Sequence, residues 1–351
     1  MVVTAPGVPL SVLDLSQVPS GSSSTQALRS TVDLARAAEA LGYHRFWVAE
    51  HHNAASIATA APEVMIATVA AATSTIRVGS GGIMLPNHSP LKVAELFRLL
   101  EALHPGRVDL GIGRAPGTDG RTALALRRSR EALVADDFDE QFEELLGYVD
   151  GFPPGHPFEA VHAYPGDVPL PPVWILGSSD HGSRAAAELG TGYAYAGHFG
   201  HADPVAVLRH YREHFRPSPQ RALPHAVLAV GVMVSETAER AQQLLRSQEL
   251  ATARLRQGRA GTFPSPEEAA AHHWTLLDRR VAAEVSSRVV AGAPDEVAER
   301  LRALVTATGA DELMVVSQVH DPGERRHGYA LLAREWGLAG AVASREGQLQ
   351  G

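Results

Sequence analysis

Eight short apolar runs recur along the chain. Between them lie longer stretches whose apolar residues fall at helical spacings of three and four. Residues 75–118, TIRVGSGGIMLPNHSPLKVAELFRLLEALHPGRVDLGIGRAPGT, show the unit most clearly. An apolar run over Ile76–Leu85, interrupted by Gly79, Gly81 and Gly82, precedes a helical pattern of Val93, Leu96, Leu100 and Leu103. A second run, Val108–Ile112, then ends in Gly113 and Arg114. Strand, helix, strand of this length is a βαβ unit with a right-handed crossover. The remaining runs are Pro9–Leu15, Tyr43–Ala49, Val173–Gly177, Tyr193–Gly197, Ala226–Val234 and Glu312–Ser317. The repeated alternation predicts an α/β fold, one (β/α)8 TIM barrel over residues 1–351, with insertions at about 151–172 and 257–291. The competing reading is an open doubly wound sheet. No G-x-G-x-x-G follows the first strand, and Gly111 and Gly113 lack a third glycine, which counts against its dinucleotide-binding form.

Composition narrows the function classes. Net charge is −8 and no long basic block occurs, so no nucleic-acid partner is expected. No apolar run is long enough to cross a bilayer, and MVVTAPGVPL shows no basic segment followed by an apolar core. There is no cysteine, which excludes disulfides, thiolate nucleophiles and cysteine metal sites. A cytoplasmic location is therefore expected. The helix predicted over Pro62–Ala72 is apolar on nearly every face, so an insertion or, by preference, a second subunit should cover it. The basic stretch RTALALRRSR at 121–130 reads as a solvated face. The segment 151–172 is rich in proline and glycine and could hold a short hairpin.

In parallel α/β folds the chemistry collects at the carboxyl ends of the strands. The second strand ends in Glu50, His51, His52 and Asn53. A histidine there can move a proton near neutral pH, but side chains alternate, so only one of His51 and His52 should face the centre. The other reading is one packing histidine and one surface histidine. A zinc site would need ligands at spacings the chain does not show; His198 and His201 could join one only weakly. The glycines at 79–82 are either a bulge or bare backbone against which a flat ligand lies. Arg114 either offers its fork to an anion or pairs with a carboxylate such as Asp119. Ser178 and Ser179 either cap a helix or, with its free N–H groups, seat a phosphate. Arg114 and Ser178 belong to neighbouring strands of a barrel, so together they form a candidate phosphate seat. Asp14, His198 and Phe199 are expected to line the adjoining substrate pocket.

Four segments, GYHRFWVAEHHN, RVGSGGIMLPNHSPLKVAE, GRVDLGIGRAPGT and PVWILGSSDHGSRAAAELG, occur in that order. Together they resemble the bacterial luciferase-like flavin-dependent monooxygenases, over roughly residues 8–338. The resemblance implies a barrel that binds reduced FMN at the carboxyl ends of its strands. It implies that His51 is the active-site histidine and that a cis peptide joins Gly81 to Gly82 under the flavin ring. It implies Gly113 beside the ring, and Arg114, Ser178 and Ser179 on the flavin phosphate. Luciferase itself carries a reactive cysteine where this chain has Gly113, and a glutamate where it has Ser178, so light emission is not implied. The implied activity is oxygenation of a small organic substrate, with reduced FMN delivered by a separate, transiently bound reductase. A homodimer through the second and third helices is implied, and the segment 257–291 is expected to act as a lid. Relatives of the same fold also transfer hydride with a deazaflavin, and a non-catalytic flavin carrier is a third reading.

Overall fold

The computed structural model describes residues 7–115, 117–135 and 137–339. The stretch 1–6, which holds most of the segment read for a secretion signal, lies outside the described residues. The strands are β1 (Leu10–Asp14), β2 (Arg45–Val48), β3 (Arg77–Ser80), β4 (Ile83–Met84), β5 (Val108–Gly113), β6 (Val173–Gly177), β7 (Gly192–Tyr195), β8 (Ala226–Val234), β9 (Val289–Gly292) and β10 (Glu312–Val316). The helices are α1 (Ser24–Leu41), α2 (Pro62–Ala72), α3 (Pro90–Leu103), α4 (Gly120–Arg127), α5 (Arg130–Val134), α6 (Phe138–Asp150) and α7 (Asp180–Leu189). They continue with α8 (Pro204–His214), α9 (Ala238–Arg256), α10 (Pro266–Ala271), α11 (Leu276–Arg288), α12 (Pro294–Thr308) and α13 (Pro322–Trp336).

The sheet closes on itself. β1 pairs in parallel with β2 and β10, and β8 pairs with both β7 and β10, so the ring β1-β2-β3-β5-β6-β7-β8-β10 has no free edge. The expected (β/α)8 barrel is thus the observed one. The single apolar run read over Ile76–Leu85 is two strands, β3 and β4, with the cis Gly81-Gly82 peptide between them; both pair with β5. β9 lies outside the ring, alongside the far half of β8.

Alternation along each strand sorts the side chains. Leu10 and Val12 of β1 join the large core between barrel and helices, while Leu13 joins the interior cluster with Trp47, Trp174, Ala194, Ala229 and Met314. Trp47 and Trp174 meet edge to face, 5.6 Å apart. Beneath this apolar layer sits a ring of buried charge. Arg45 bridges Asp109 at 2.9 Å and Glu312 at 3.0 Å, and Arg77 reaches Asp109 at 2.6 Å. Ser11 donates to Glu312 at 2.5 Å and Trp47 Nε1 to Asp109 at 3.2 Å. His225 Nε2 stands 3.4 Å from Glu312, within ion-pair reach though without hydrogen-bond geometry. These contacts join β1, β2, β3, β5 and β10 through two carboxylates, each fully buried.

One expectation is filled in and two change. The stretch at 121–130 is α4 and the start of α5; Asp119 caps α4, accepting from the backbone N–H of Arg121 and Thr122. No strand forms over 151–172; that segment is held by a ring cluster of Tyr148, Phe152, His156 and Phe158. The segment 257–291 is not a lid. Its helix α11 packs on α9 in a core of its own with Leu244, Leu245, Val281 and Val285, because its apolar positions match the face α9 leaves uncovered. It is tied to the loop after β1 by paired backbone bonds between Val18 or Ser20 and Phe263, and by Ser20 donating to Glu268.

The buried charge ring makes a prediction. Burial alone would raise the Glu312 carboxyl, but His225, Arg45 and Ser11 outweigh it and hold it at about 2, below its ordinary 4.5. A depressed pKa contributes stability that is present above pH 4.5 and lost as pH falls through about 2. Glu312→Gln should cost about 3 kcal/mol at neutral pH, since it leaves Arg45 short of a partner. Guanidinium unfolding should show the gap from the parent narrowing below pH 4.5; a constant gap would refute the assignment.

Candidate active site

One cavity of about 260 Å³ opens at the carboxyl ends of the strands. His51, Gly81, Gly82, Gly113, Arg114, Ser178, Ser179, His198 and Phe199 all border it. Asp14 does not. Its carboxylate is fully buried and faces the helices, where it accepts from Thr31 of α1 at 2.5 Å and pairs with Arg325 of α13. The reason is alternation: Leu13 and Leu15 turn to the cavity, so the residue between them turns away. The substrate-pocket role expected for Asp14 is therefore corrected to a tie between β1, α1 and α13.

The same rule separates the histidines after β2. His51 borders the cavity, whereas His52 Nε2 lies 2.8 Å from Glu50 on the other side. Glu50 is fully buried and also meets His88 Nε2 at 2.9 Å and the backbone N–H of Met84 at 2.9 Å. One carboxylate thus joins the segment that carries His51 to the segment that carries Met84. The adjoining loop is tied on as well: Thr118 donates to the His52 carbonyl at 2.9 Å, and Asn53 to Asp119 at 3.2 Å. Burial pushes the Glu50 carboxyl up, but the bonds from His88, Met84 and His52 together hold it below its ordinary value. Burial likewise pushes His88 down, and the Glu50 bond and charge reverse that, leaving it above 6.5.

The glycines have a second reason besides the one read in the sequence. A Cβ at Gly82 would stand 2.8 Å from the Gly111 carbonyl, one at Gly111 2.1 Å from the Ser80 carbonyl, and one at Gly81 2.5 Å from Leu13. Close approach of strand to strand demands them, and the peptides they leave bare form part of the cavity wall. Beside this wall, a Cβ at Gly113 would press on Met84 at 3.0 Å.

Across the cavity, Ser179 occupies the N-cap of α7 but makes no side-chain capping bond. The first turn of the helix therefore presents N–H groups without a side-chain acceptor from its cap, next to Arg114 and Ser178. This end of the cavity suits an anion.

Two imidazoles border the same cavity. Burial pushes His51 below 6.5, outweighing the nearby Glu50 charge. Burial, and then His51, bring His198 down to about 4. Both rings are uncharged at neutral pH. Among the described residues neither has a hydrogen-bond partner; the Nδ1 atoms are buried, and the Nε2 atoms are not. Around them stand Ala49, Ala194, Ala229 and Met314. Met84, Trp47, Leu176 and His181 also border the cavity, although nothing in the sequence singled them out. Counting by twos along the strands would have found Trp47, Leu176, Ala194, Ala229 and Met314; no local signal marks Met84 or His181.

Comparison with known proteins agrees with this geometry. The family model described as luciferase-like monooxygenase matches residues 8–312. A luciferase-like monooxygenase of Escherichia coli is 40% identical, with 92% of this chain and 96% of that one aligned. N-acetyl-S-alkylcysteine monooxygenase of Bacillus subtilis is 36% identical over 92% of this chain and 97% of the relative. Among solved structures, apo-MsnO8 superposes with a TM-score of 0.84 at 38% identity, covering 95% of this chain and 99% of that one.

The electrostatics predict an order of titration. By NMR of the imidazole signals, His198 should titrate at about 4, His51 below 6.5 and His88 above 6.5. Glu50→Gln should lower His88 and leave His198 in place. A His88 midpoint indifferent to Glu50 would contradict the pairing.

Proposed function

The chain belongs to the luciferase-like monooxygenase family and is an oxidoreductase, and on that premise we propose that it uses reduced FMN and oxygen to oxygenate a small organic substrate. One observation carries this reading: bare backbone at Gly81, Gly82 and Gly113, the Arg114 side chain and the uncapped start of α7 border a single cavity. The donor set fits the cofactor. Arg114, Ser178, Ser179 and the first-turn N–H groups of α7 would hold the phosphate, and the glycine wall would lie along the ring. Bound reduced flavin supplies the two electrons that leave one oxygen atom on the substrate and send the other to water.

The protein's own part is positioning, proton handling and exclusion of water. His51 is uncharged and keeps Nε2 accessible, so it acts as base or hydrogen-bond partner at the reacting centre. Leu13, Trp47, Leu176 and Met314 line the interior and keep bulk water from it. A separate reductase delivers the reduced flavin and departs. A homodimer through α2 and α3 completes the assembly; Val64, Leu99 and Leu103 on those helices are 60%, 49% and 63% exposed, which supports a covered face.

Two experiments test this. FMN, riboflavin and a deazaflavin are titrated into the protein and into Arg114→Ala. FMN should bind in preference, and Arg114→Ala should weaken FMN about thirtyfold, the loss of a charged hydrogen bond, while riboflavin is unchanged. His51→Ala should keep FMN affinity and lower oxygen-dependent turnover about a hundredfold. Preference for the deazaflavin with turnover under anaerobic conditions would replace oxygenation by hydride transfer. Sedimentation of Leu99→Arg/Leu103→Arg should give a monomer where the parent gives a dimer.

A further inference from the structure

The polar groups of the cavity wall are of two kinds, and the difference bears on what the enzyme oxidises. Arg114, Ser178, Ser179 and the start of α7 are the anion-binding set that the flavin reading gives to the phosphate. His198 and His51 border the same cavity together with alanines, Met314 and Phe199. We infer that the substrate is an uncharged, largely apolar molecule with one hydrogen-bond acceptor, which His198 receives at Nε2; this rests on the flavin reading of the anion-binding set.

The argument is one of satisfying polar atoms. His198 Nδ1 is buried with no partner, and Nε2 is not buried. A buried N–H without an acceptor is the costlier defect, so the ring's hydrogen belongs on Nε2, where a ligand can accept it. The ring resists a second proton, since burial and then the neighbouring His51 bring it down to about 4. His198 is therefore a fixed, neutral donor. Phe199 meets the ring edge to face at 4.5 Å. An anionic head placed here would lose its water and gain no cation in return, because on the flavin reading Arg114 is taken by the phosphate. An uncharged acceptor has no such loss. The nearby carboxylate, Glu50, is already held by His52, His88 and Met84, so it offers nothing to a cationic head either.

Two probes of equal shape separate the cases: phenylacetamide, which is uncharged, and phenylacetate. Each is titrated at neutral pH by NMR into the protein with and without oxidised FMN. Phenylacetamide should bind about tenfold more tightly, because the carboxylate gives up more hydration than one neutral donor returns. His198→Phe should remove that advantage by weakening the amide and leaving phenylacetate where it was. His198→Gln, which keeps an N–H donor, should retain most of it, so a general loss of folding cannot mimic the result. Equal or absent binding of both probes, tighter binding of phenylacetate, or amide binding indifferent to His198→Phe overturns the inference. FMN titration of the same samples reads the other proposal independently. A chain that selects the amide but ignores FMN keeps this inference and loses the cofactor; one that binds FMN without selecting the amide does the reverse.

Discussion

The contact between Ser80 and Gly111 sets the rest of the barrel mouth. Ser80 Oγ donates to the Gly111 carbonyl at 2.8 Å and accepts from the Gly111 N–H at 2.9 Å, and the backbones lie so close that a side chain on 111 has no room. A side chain here exchanges both bonds that a strand neighbour would otherwise make. Beyond this point the wall bends at Gly81-Gly82, resumes pairing with β5 as β4, and leaves its peptides facing the cavity. The position of Met84 follows, and with it the anchoring of Glu50 and the two loops that depend on Glu50.

Much of this was legible in the residues. Eight apolar runs spaced by helical patterns specified the barrel because a parallel strand buried on both faces leaves a near-continuous apolar trace. The motif residues His51, Arg114, Ser178, Ser179 and His198 do border one cavity. Asp14 was misplaced because a carboxylate at a strand end looks like chemistry, whereas the partner that explains it, Arg325, is 311 residues away in sequence. The insertion at 257–291 reads as a lid in the sequence because a helix that shields another helix and one that covers a pocket share the same pattern. The role of Glu50 was hidden for a similar reason: His88, its strongest partner, is 38 positions on. The glycines are recognisable as bare backbone, but the crowding that also demands them is not, since the atoms that crowd them belong to neighbouring strands.

Charge is distributed in layers along the barrel axis. Asp109 and Glu312, with Arg45 and the partly exposed Arg77, close the amino-terminal end, where each ion is matched. The middle is tryptophan, leucine and methionine. At the open end the ionised groups divide: Glu50 and its histidines stay on the outer side of β2, Arg114 borders the cavity with the start of α7, and the His51 and His198 imidazoles are neutral. Burial in the barrel interior thus falls on matched ions and uncharged side chains.

The segment 257–291 has a consequence of another kind. Because α11 rests on α9 and α10 is fastened to the loop after β1, this part of the chain has its own small apolar centre and contributes no residue to the described cavity wall. Its surface can drift in composition, or lengthen and shorten, without passing the change on to the reaction chamber. Relatives built on this plan are free to diverge there while keeping one chemistry, which makes it the natural place to graft a tether or a reporter.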